Sequence, residues 1–295
     1  REIHHRVKNN LQTVAALLRM QARRLQDESA RAALDESVRR VSAIALVHET
    51  LSQTDADSVE FDRVADRLVA MVADDLVANG IEPVNLVNVL DVDKPDEEIV
   101  DQLMQGLHAA ATECGIAIVG GEIAELGARV GGWGPRMHFN WCATAIGVPR
   151  NGCAPIDGGQ IEAGDAVIAL KSAGFRSNGF SLVRSILETA YGPSWHDVPS
   201  VAGRSWGEVA LTPSFLCTPS ILALIDAGIP LRGAGHITGG GIPSKFGRVL
   251  KRSGLGARLD CLFAPQDFVQ KLVELGGIDF ETAYRQWNMG NAMLL

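Results

Sequence analysis

The chain has 295 residues, is 46% hydrophobic with only 5% aromatic residues, and carries a formal charge of -8 at pH 7. That length allows about two domains, and the acidic balance argues against a nucleic-acid binder. No apolar run approaches the ~18 to 20 residues that span a bilayer and no charged-then-apolar leader opens the chain, so no membrane partner is expected and the cytoplasm is the expected location. Thirty-one glycines with an aliphatic interior suit a chain of mixed helices and strands. The five cysteines, Cys114, Cys142, Cys153, Cys217 and Cys261, lie far apart without a Cys-x-x-Cys pair, which reads as buried thiols in a reducing compartment. Both ends read as cut, because the chain opens inside a helical pattern and stops in an apolar run, so a fragment or fusion is expected.

In the front segment apolar residues fall at Val7, Leu11, Val14, Leu18, Ala22 and Leu25, alternating steps of three and four that mark one helical stripe. After a break at Asp27-Glu28-Ser29 the spacing resumes at Leu34, Val38, Val41, Ile44, His48 and Leu51. Residues 1-53 are therefore predicted to form an antiparallel helical hairpin, with His48 as a seam residue. A lone hairpin of this size cannot bury both stripes, and pairing with a second copy into a four-helix bundle is the economical solution.

The first helix carries His4-His5-Arg6-Val7-Lys8-Asn9-Asn10-Leu11-Gln12. On these residues the segment resembles the dimerisation and phosphoacceptor hairpin of bacterial sensor histidine kinases that read His-Arg-x-Lys-Asn-Asn. The resemblance implies that His5 is the phosphoacceptor, with His4 as the alternative if the register is off by one, and that a response regulator or a kinase acting in trans is a partner. An imidazole is nucleophilic near pH 7 and its phosphoramidate passes the group on. Arg6, Lys8, Asn9 and Asn10 would offer cationic and amide donors to the arriving phosphate. Composition alone reads His4 and His5 as surface residues at a helix start. No Asn-bearing helix and Asp-x-Gly-x-Gly motif of a kinase ATP-binding domain follows Gln53, so phosphorylation of His5 would need another protein.

Residues 54-71 begin polar and acidic, with Thr54, Asp55, Asp57, Ser58, Glu60 and Asp62, and then regain helical spacing at Val64, Leu68 and Met71. They read as a linker and junction helix, with the seam near residues 70-72. Beyond it the order is mixed: a segment Ile81 to Leu90, a helix from Glu97 to Cys114, an apolar strand Ile116 to Val119 and a strand Trp141 to Val148. A turn at Asn151-Gly152 leads to a buried strand Ala166 to Leu170, then to helices Gly179 to Ala190 and Pro219 to Ala227. This predicts an α+β architecture in two lobes, residues 72-150 and 151-295.

Five stretches then occur in order: Asp75 to Pro83; Val119-Gly120-Gly121-Glu122-Ile123-Ala124-Glu125; Ser177-Asn178-Gly179-Phe180-Ser181-Leu182-Val183-Arg184; His236-Ile237-Thr238-Gly239-Gly240-Gly241; and Trp287-Asn288-Met289-Gly290. On them, residues 72-295 resemble the phosphoribosylformylglycinamidine cyclo-ligase (AIR synthase) family, whose fold is shared by thiamine-monophosphate kinase, selenophosphate synthetase and a hydrogenase maturation factor. The resemblance implies ATP-driven ring closure of formylglycinamidine ribonucleotide to aminoimidazole ribonucleotide, with ATP and magnesium as cofactors and a ribonucleotide as substrate.

The same resemblance places Asp75 and Glu122 near magnesium and ATP, where hard oxygen ligands suit the metal. Taken alone, either acid reads as a helix cap or an exposed charge. Gly120 and Gly121 would let backbone approach a ligand, although a tight turn after a strand explains them equally well. Ser177, Asn178 and Gly179 read as a strand-to-helix turn whose N-H groups bind an anion, or as an ordinary N-cap. Thr238, Gly239, Gly240 and Gly241 form a second phosphate-cradle candidate, with His236 positioning the loop and Lys245 either neutralising a phosphate or solvated. Asn178 and Arg176 are the catalytic candidates of this part.

Two departures from the family pattern stand out. Arg176 takes the place where many family members carry histidine, which preserves a cation for phosphate but puts a proton-transfer role in doubt. An Asp-Gly-Val-Gly-Thr-Lys type segment expected upstream of Asp75 is replaced by the hairpin. Impaired catalysis in a homodimeric, incomplete AIR-synthase-like domain is the leading expectation. A histidine phosphotransfer module with a passive large domain, or a non-functional fusion of two gene fragments, is the alternative.

Overall fold

The computed structural model describes residues 62–295, so the hairpin read over residues 1-53, with His4, His5 and His48 and the bundle built on it, lies outside the described residues. The chain divides into two compact units, Arg1–Val59 and Glu60–Leu295, and only the second contains described residues.

That unit opens with helix α1, Asp62–Val77. Ala65, Val69, Ala70, Ala73 and Val77 recur at helical spacing and are all buried. The seam expected at residues 70-72 lies inside this unbroken helix. Strand β1, Ile81–Val92, alternates: Leu86, Asn88, Leu90 and Val92 are buried, whereas Val87 and Val89 face out. Helix α2, Glu97–Glu113, starts where Asp96 accepts a hydrogen bond from the Ile99 N–H at 3.3 Å, with Glu97 and Glu98 complementing the dipole of its first turn. Strands β2, Ala117–Glu125, and β3, Phe139–Pro149, flank β1 in the order β2-β1-β3, parallel on one side and antiparallel on the other.

Helices α1 and α2 cover one face of this sheet, where Ala65, Val69, Leu86, Leu107 and Ala110 pack together. The other face has no covering element among the described residues. Val87, Val89, Ile146 and Val148 stand on it, with Ile146 59% exposed and Val148 48% exposed.

The second half contains β4 (Ala169–Lys171), α3 (Phe180–Tyr191), α4 (Trp206–Ala210), α5 (Thr218–Asp226), β5 (Gly235–His236), α6 (Gly241–Leu250), α7 (Asp267–Gly276), α8 (Phe280–Gln286) and β6 (Asn291–Leu294). Its sheet runs β4-β6-β5 with β6 antiparallel to both neighbours and buried along its whole length. Phe175, Val183, Leu187, Trp206, Phe268, Leu272 and Trp287 form the main core of this half. Val77 and Ala78 from the end of α1 pack with Cys217, Ile221, Ala292 and Met293, so the two halves share a core rather than meeting at a solvated seam.

Two expectations are corrected. The buried strand placed at Ala166 to Leu170 begins only at Ala169, and Val167 and Ile168 are exposed. Ile168 still exchanges backbone hydrogen bonds with Leu295 at 3.0 and 2.9 Å, so its backbone extends the ladder while its side chain lies beyond the covered part of the sheet. Gly120 and Gly121 are not in a turn after a strand, because β2 runs through them to Glu125.

Candidate functional site

The last turn of α1 ends in two adjacent carboxylates. Successive helical residues point about 100° apart, and Asp74, one turn from Ala70 and on the face of Val77, is fully buried while Asp75 is exposed. Asp74 Oδ1 accepts from both the backbone N–H and the hydroxyl of Thr218, each at 2.9 Å. Asp74 Oδ2 accepts from Arg176 Nη2 at 2.7 Å.

Arg176 is itself buried, with φ of 59° in the left-handed region that a side chain of this size rarely occupies. Its Nη1 donates to the Phe215 carbonyl at 2.9 Å, and its Nη2 lies 2.9 Å from His236 Nε2. His236 Nδ1 lies 2.8 Å from Asp75 Oδ1. Burial works to raise the Asp75 carboxyl, but the hydrogen bond from His236 and the nearby Lys245 and Arg176 cations hold it below its ordinary value. With its side chain 64% exposed, Asp75 makes no hydrogen bond through Oδ2 among the described residues.

Two helix N-termini flank this cluster. Helix α3 starts at Gly179, with φ of 76° and no side-chain cap, so neither Ser177 nor Asn178 serves as its N-cap. A Cβ at Gly179 would stand 2.5 Å from Trp287 Nε1, so glycine is required both for the turn and for the indole. Helix α6 likewise starts from Gly240 without a side-chain cap, and Gly241, φ 60°, backs onto the Tyr284 carbonyl. The two loops touch: a Cβ at Gly239 would stand 3.3 Å from Asn178 Oδ1. The first N–H groups of α3 lack intrahelical partners and suit an anion. In α6 the Gly241 N–H donates to the Thr238 carbonyl at 2.9 Å and Pro243 has no N–H, which leaves that of Ile242 in its first turn. Asn288 anchors the arrangement, its Nδ2 donating to the Gly174 carbonyl at 2.8 Å and its Oδ1 accepting from the Gly290 N–H at 2.9 Å.

The structure therefore brings together Asp75, Arg176, His236 and the Ser177-Asn178-Gly179 and Thr238 to Gly241 loops. Gly120, Gly121 and Glu122 are not joined to them. Glu122 pairs with Val89, an outward residue of β1, and so belongs to the open face of the sheet, opposite to α1. Arg176 is turned inward with its guanidinium 1% exposed, behind His236 rather than at the surface of the cluster. Lys245 lies half-buried at the start of the second turn of α6.

Magnesium in nucleotide sites is commonly held by one or two carboxylates together with phosphates and water. Asp75, with one oxygen held by His236 and the other open, fits that donor set. No group of three or more His, Cys, Asp or Glu side chains suited to a metal is found among the described residues.

Sequence reasoning missed Asp74 and Thr218. A signal for Asp74 was present, since it falls four residues after Ala70 and three before Val77 and therefore lies on the apolar face of α1. Thr218 carries no comparable signal, because its partner is 144 residues away.

Residues 162–295 match the family model described as AIR synthase related protein, C-terminal domain, and residues 2–75 match the model described as histidine kinase. The phosphoribosylformylglycinamidine cyclo-ligase of Thermococcus kodakarensis is 35% identical over 236 residues, covering 80% of this chain and 65% of the relative. That of Sorangium cellulosum is 36% identical over 235 residues, covering 78% and 65%. This chain thus spans just under two thirds of these relatives' length.

Among solved structures, a HypE-HypF complex gives a TM-score of 0.53 at 20% identity, covering 78% of this chain and 68% of that one. E. coli HypE gives 0.51 at 20% identity, covering 78% and 63%, and HypE in complex with ATP gives 0.50 at 16%, covering 78% and 62%. At these identities the likeness is one of fold. Over most of its length the chain is therefore similar to phosphoribosylformylglycinamidine cyclo-ligases, with an AIR synthase related domain matched at residues 162–295 and a histidine kinase family matched at residues 2–75.

Proposed function

We infer that the unit from Glu60 to Leu295 binds ATP with magnesium and takes part in a cyclo-ligase reaction, the ring closure of formylglycinamidine ribonucleotide to aminoimidazole ribonucleotide. In that reaction the formamide oxygen is phosphorylated, the amidine nitrogen attacks, and phosphate leaves. The relatives named as cyclo-ligases support the reaction class, and the HypE structure solved with ATP supports nucleotide use on this fold. The observation that carries the reading is the meeting of two uncapped helix N-termini beside one open carboxylate, Asp75. Ser177, Asn178 and Gly179 on one side and the Thr238 to Gly241 loop on the other would hold phosphates, the latter through the Gly239 and Gly240 N–H groups while the Gly241 N–H closes the turn onto Thr238. Lys245 would add a cation, and Asp75 would hold the magnesium, which neutralises phosphate charge when bound. Glu122, Gly120 and Gly121 would act from the open face of the first sheet. Catalysis is weakened by the replacement of the nucleotide segment upstream of Asp75.

Residues 72-150 and 151-295 serve as the two lobes of this domain, and the chain works as a homodimer in the cytoplasm. The exposed Val87, Val89, Ile146 and Val148 give a second copy an apolar surface to cover. No helix among the described residues is long and apolar enough to cross a membrane.

The test is a thermal-shift titration of the purified chain with Mg-ATP against an EDTA control, because a ligand that binds only the folded form raises the melting temperature. A magnesium-dependent rise is expected, followed by slow turnover of formylglycinamidine ribonucleotide. A cooperative melt that ATP leaves unmoved defeats the reading. The histidine kinase match at residues 2–75 favours a second reading, in which His5 accepts a phosphoryl group from a kinase in trans and the large domain is passive. Loss of labelling in His5→Gln, with His4→Gln unaffected, would support it.

A further inference from the structure

Arg176 is the anomaly of this cluster. An arginine occupies a left-handed backbone position, is shut away from solvent, and has a buried Nε without a partner among the described residues. Such a conformation persists only where the surroundings over-determine it, and it concentrates at functional sites. The surroundings here are specific. Nη2 serves both Asp74 Oδ2 at 2.7 Å and His236 Nε2 at 2.9 Å, while Nη1 is held by the Phe215 carbonyl at 2.9 Å.

A guanidinium has only donors. His236 Nε2 must therefore accept from it, which leaves the ring proton on Nδ1, where Asp75 Oδ1 accepts it at 2.8 Å. Every hydrogen bond in the chain Asp74, Arg176, His236, Asp75 then has a fixed direction. Its inner end is anchored by the two bonds from Thr218 to Asp74, and its outer end is the exposed Asp75 carboxylate. An imidazole with the other tautomer would set its Nε2–H against the guanidinium and lose its hold on Asp75.

We propose that Arg176 is a positioning residue: by setting the tautomer of His236 it fixes the Asp75 carboxylate with Oδ1 engaged and Oδ2 presented to the ligand, and it does not itself contact phosphate. Its proposed consequence for ligand affinity rests on the Mg-ATP reading above. The tautomer does not.

The experiment uses the full chain, and reads two quantities at one pH: the ring nitrogens of His236 by two-bond 1H–15N correlation, assigned by loss of the signal in His236→Asn, and the dissociation constant of Mg-ATP by calorimetry. Removing Arg176 alone strands a buried carboxylate, so the decisive variant is Asp74→Asn with Arg176→Met, which takes both charges out of the interior together. In the wild type His236 shows a protonated Nδ1 and a bare Nε2. In the double variant the proton spreads to Nε2 and Mg-ATP binding weakens about tenfold, the usual effect of losing an outer partner of a ligand. Arg176→Lys, whose ammonium is also donor-only, keeps the proton on Nδ1 and holds Mg-ATP binding closer to that of the wild type than the double variant does.

A cooperatively folded double variant that keeps Nδ1 protonated, or that binds Mg-ATP as the wild type does, overturns the proposal. A wild type that binds no Mg-ATP but whose tautomer moves in the double variant sinks the nucleotide reading and leaves the positioning role standing.

Discussion

The two sheets of the described unit solve the same problem in opposite ways. The first, β2-β1-β3, is built from long strands with clean alternation on β1 and buries one face under two helices, leaving Val87, Val89, Ile146 and Val148 in the open. The second, β4-β6-β5, has strands of two to four residues, yet its central strand is buried throughout. Alternation suffices where only one face is covered. Where both faces are covered, the backbone and side-chain polar groups near the strand need partners inside the protein, and the second half meets this with buried Asn288 and Asn291, each carrying several hydrogen bonds. The candidate site lies where the end of α1, from the first half, meets loops of the second.

The largest test of this contrast is Trp287→Ala. The indole fills the core between Phe175, Phe268 and Gly179, so its loss is expected to cost about 3–5 kcal/mol in denaturant unfolding. A cost below that of an ordinary surface change would show that the second half does not depend on its enclosed core. Next is Asn291→Ala. Its Oδ1 accepts from the Phe263 N–H at 3.1 Å and its Nδ2 donates to the Phe263 and Met289 carbonyls at 3.2 and 2.9 Å. Stranding those buried groups is expected to lower stability by about 2–3 kcal/mol. An equal loss from a polar change on the open face of the first sheet would erase the distinction between the two sheets.

A smaller effect separates two histidines. His138, at the end of the first sheet, faces acceptors on both sides, Asp93 Oδ2 at 2.8 Å and the Gly134 carbonyl at 3.1 Å, whereas His236 faces an acceptor and a donor. The hydrogen bond to Asp93 raises the His138 pKa above its ordinary 6.5. Burial works to raise Asp93, but hydrogen bonds from the ring and backbone of His138 and from the Lys94 N–H bring it from 3.8 down to about 2. The histidine contribution to stability is complete below 6.5 and is lost as pH rises through its raised value. The carboxylate contribution is complete above 3.8 and is lost as pH falls towards 2. The melting-temperature difference between the wild type and His138→Gln is therefore expected to be widest from about pH 4 to about pH 6.5, narrowing on both sides. A difference independent of pH would show that the pair holds the loop by packing alone.

The smallest expected effect is on the open face. Ile146→Thr should change unfolding free energy by no more than about 0.5 kcal/mol while reducing self-association in sedimentation velocity. Unchanged self-association would show that this face is not where two copies meet.

Much of the fold was legible because its signals are local. The helix at α2, with Asp96 before Glu97 and Glu98, and the helices at α3 and α5 follow the apolar spacing to within a residue or so. The strand expected at Trp141 to Val148 lies within β3, whereas the apolar residues of β1, Val84, Leu86, Val87, Val89 and Leu90, do not alternate in sequence and only burial separates its two faces. Ala166 to Leu170 was misjudged because an apolar run reads the same whether it is covered or lies beside an edge. Gly120 and Gly121 were misplaced because glycine marks a turn in sequence, while a strand tolerates it when neighbours pair on its ladder.

The sequence by itself determined most of the elements as far as α5, the glycine-led start of α3, and the five stretches on which the family likeness rests, but not α6, α7 and α8. Only the tertiary structure decided which of two adjacent aspartates is buried, that Arg176 turns inward to Asp74 and His236, and that Glu122 lies on a different face from Asp75. The physical reason is one of range. Helical and strand periods are set within a few residues, whereas the burial and hydrogen-bond direction of a polar side chain depend on partners more than a hundred residues away.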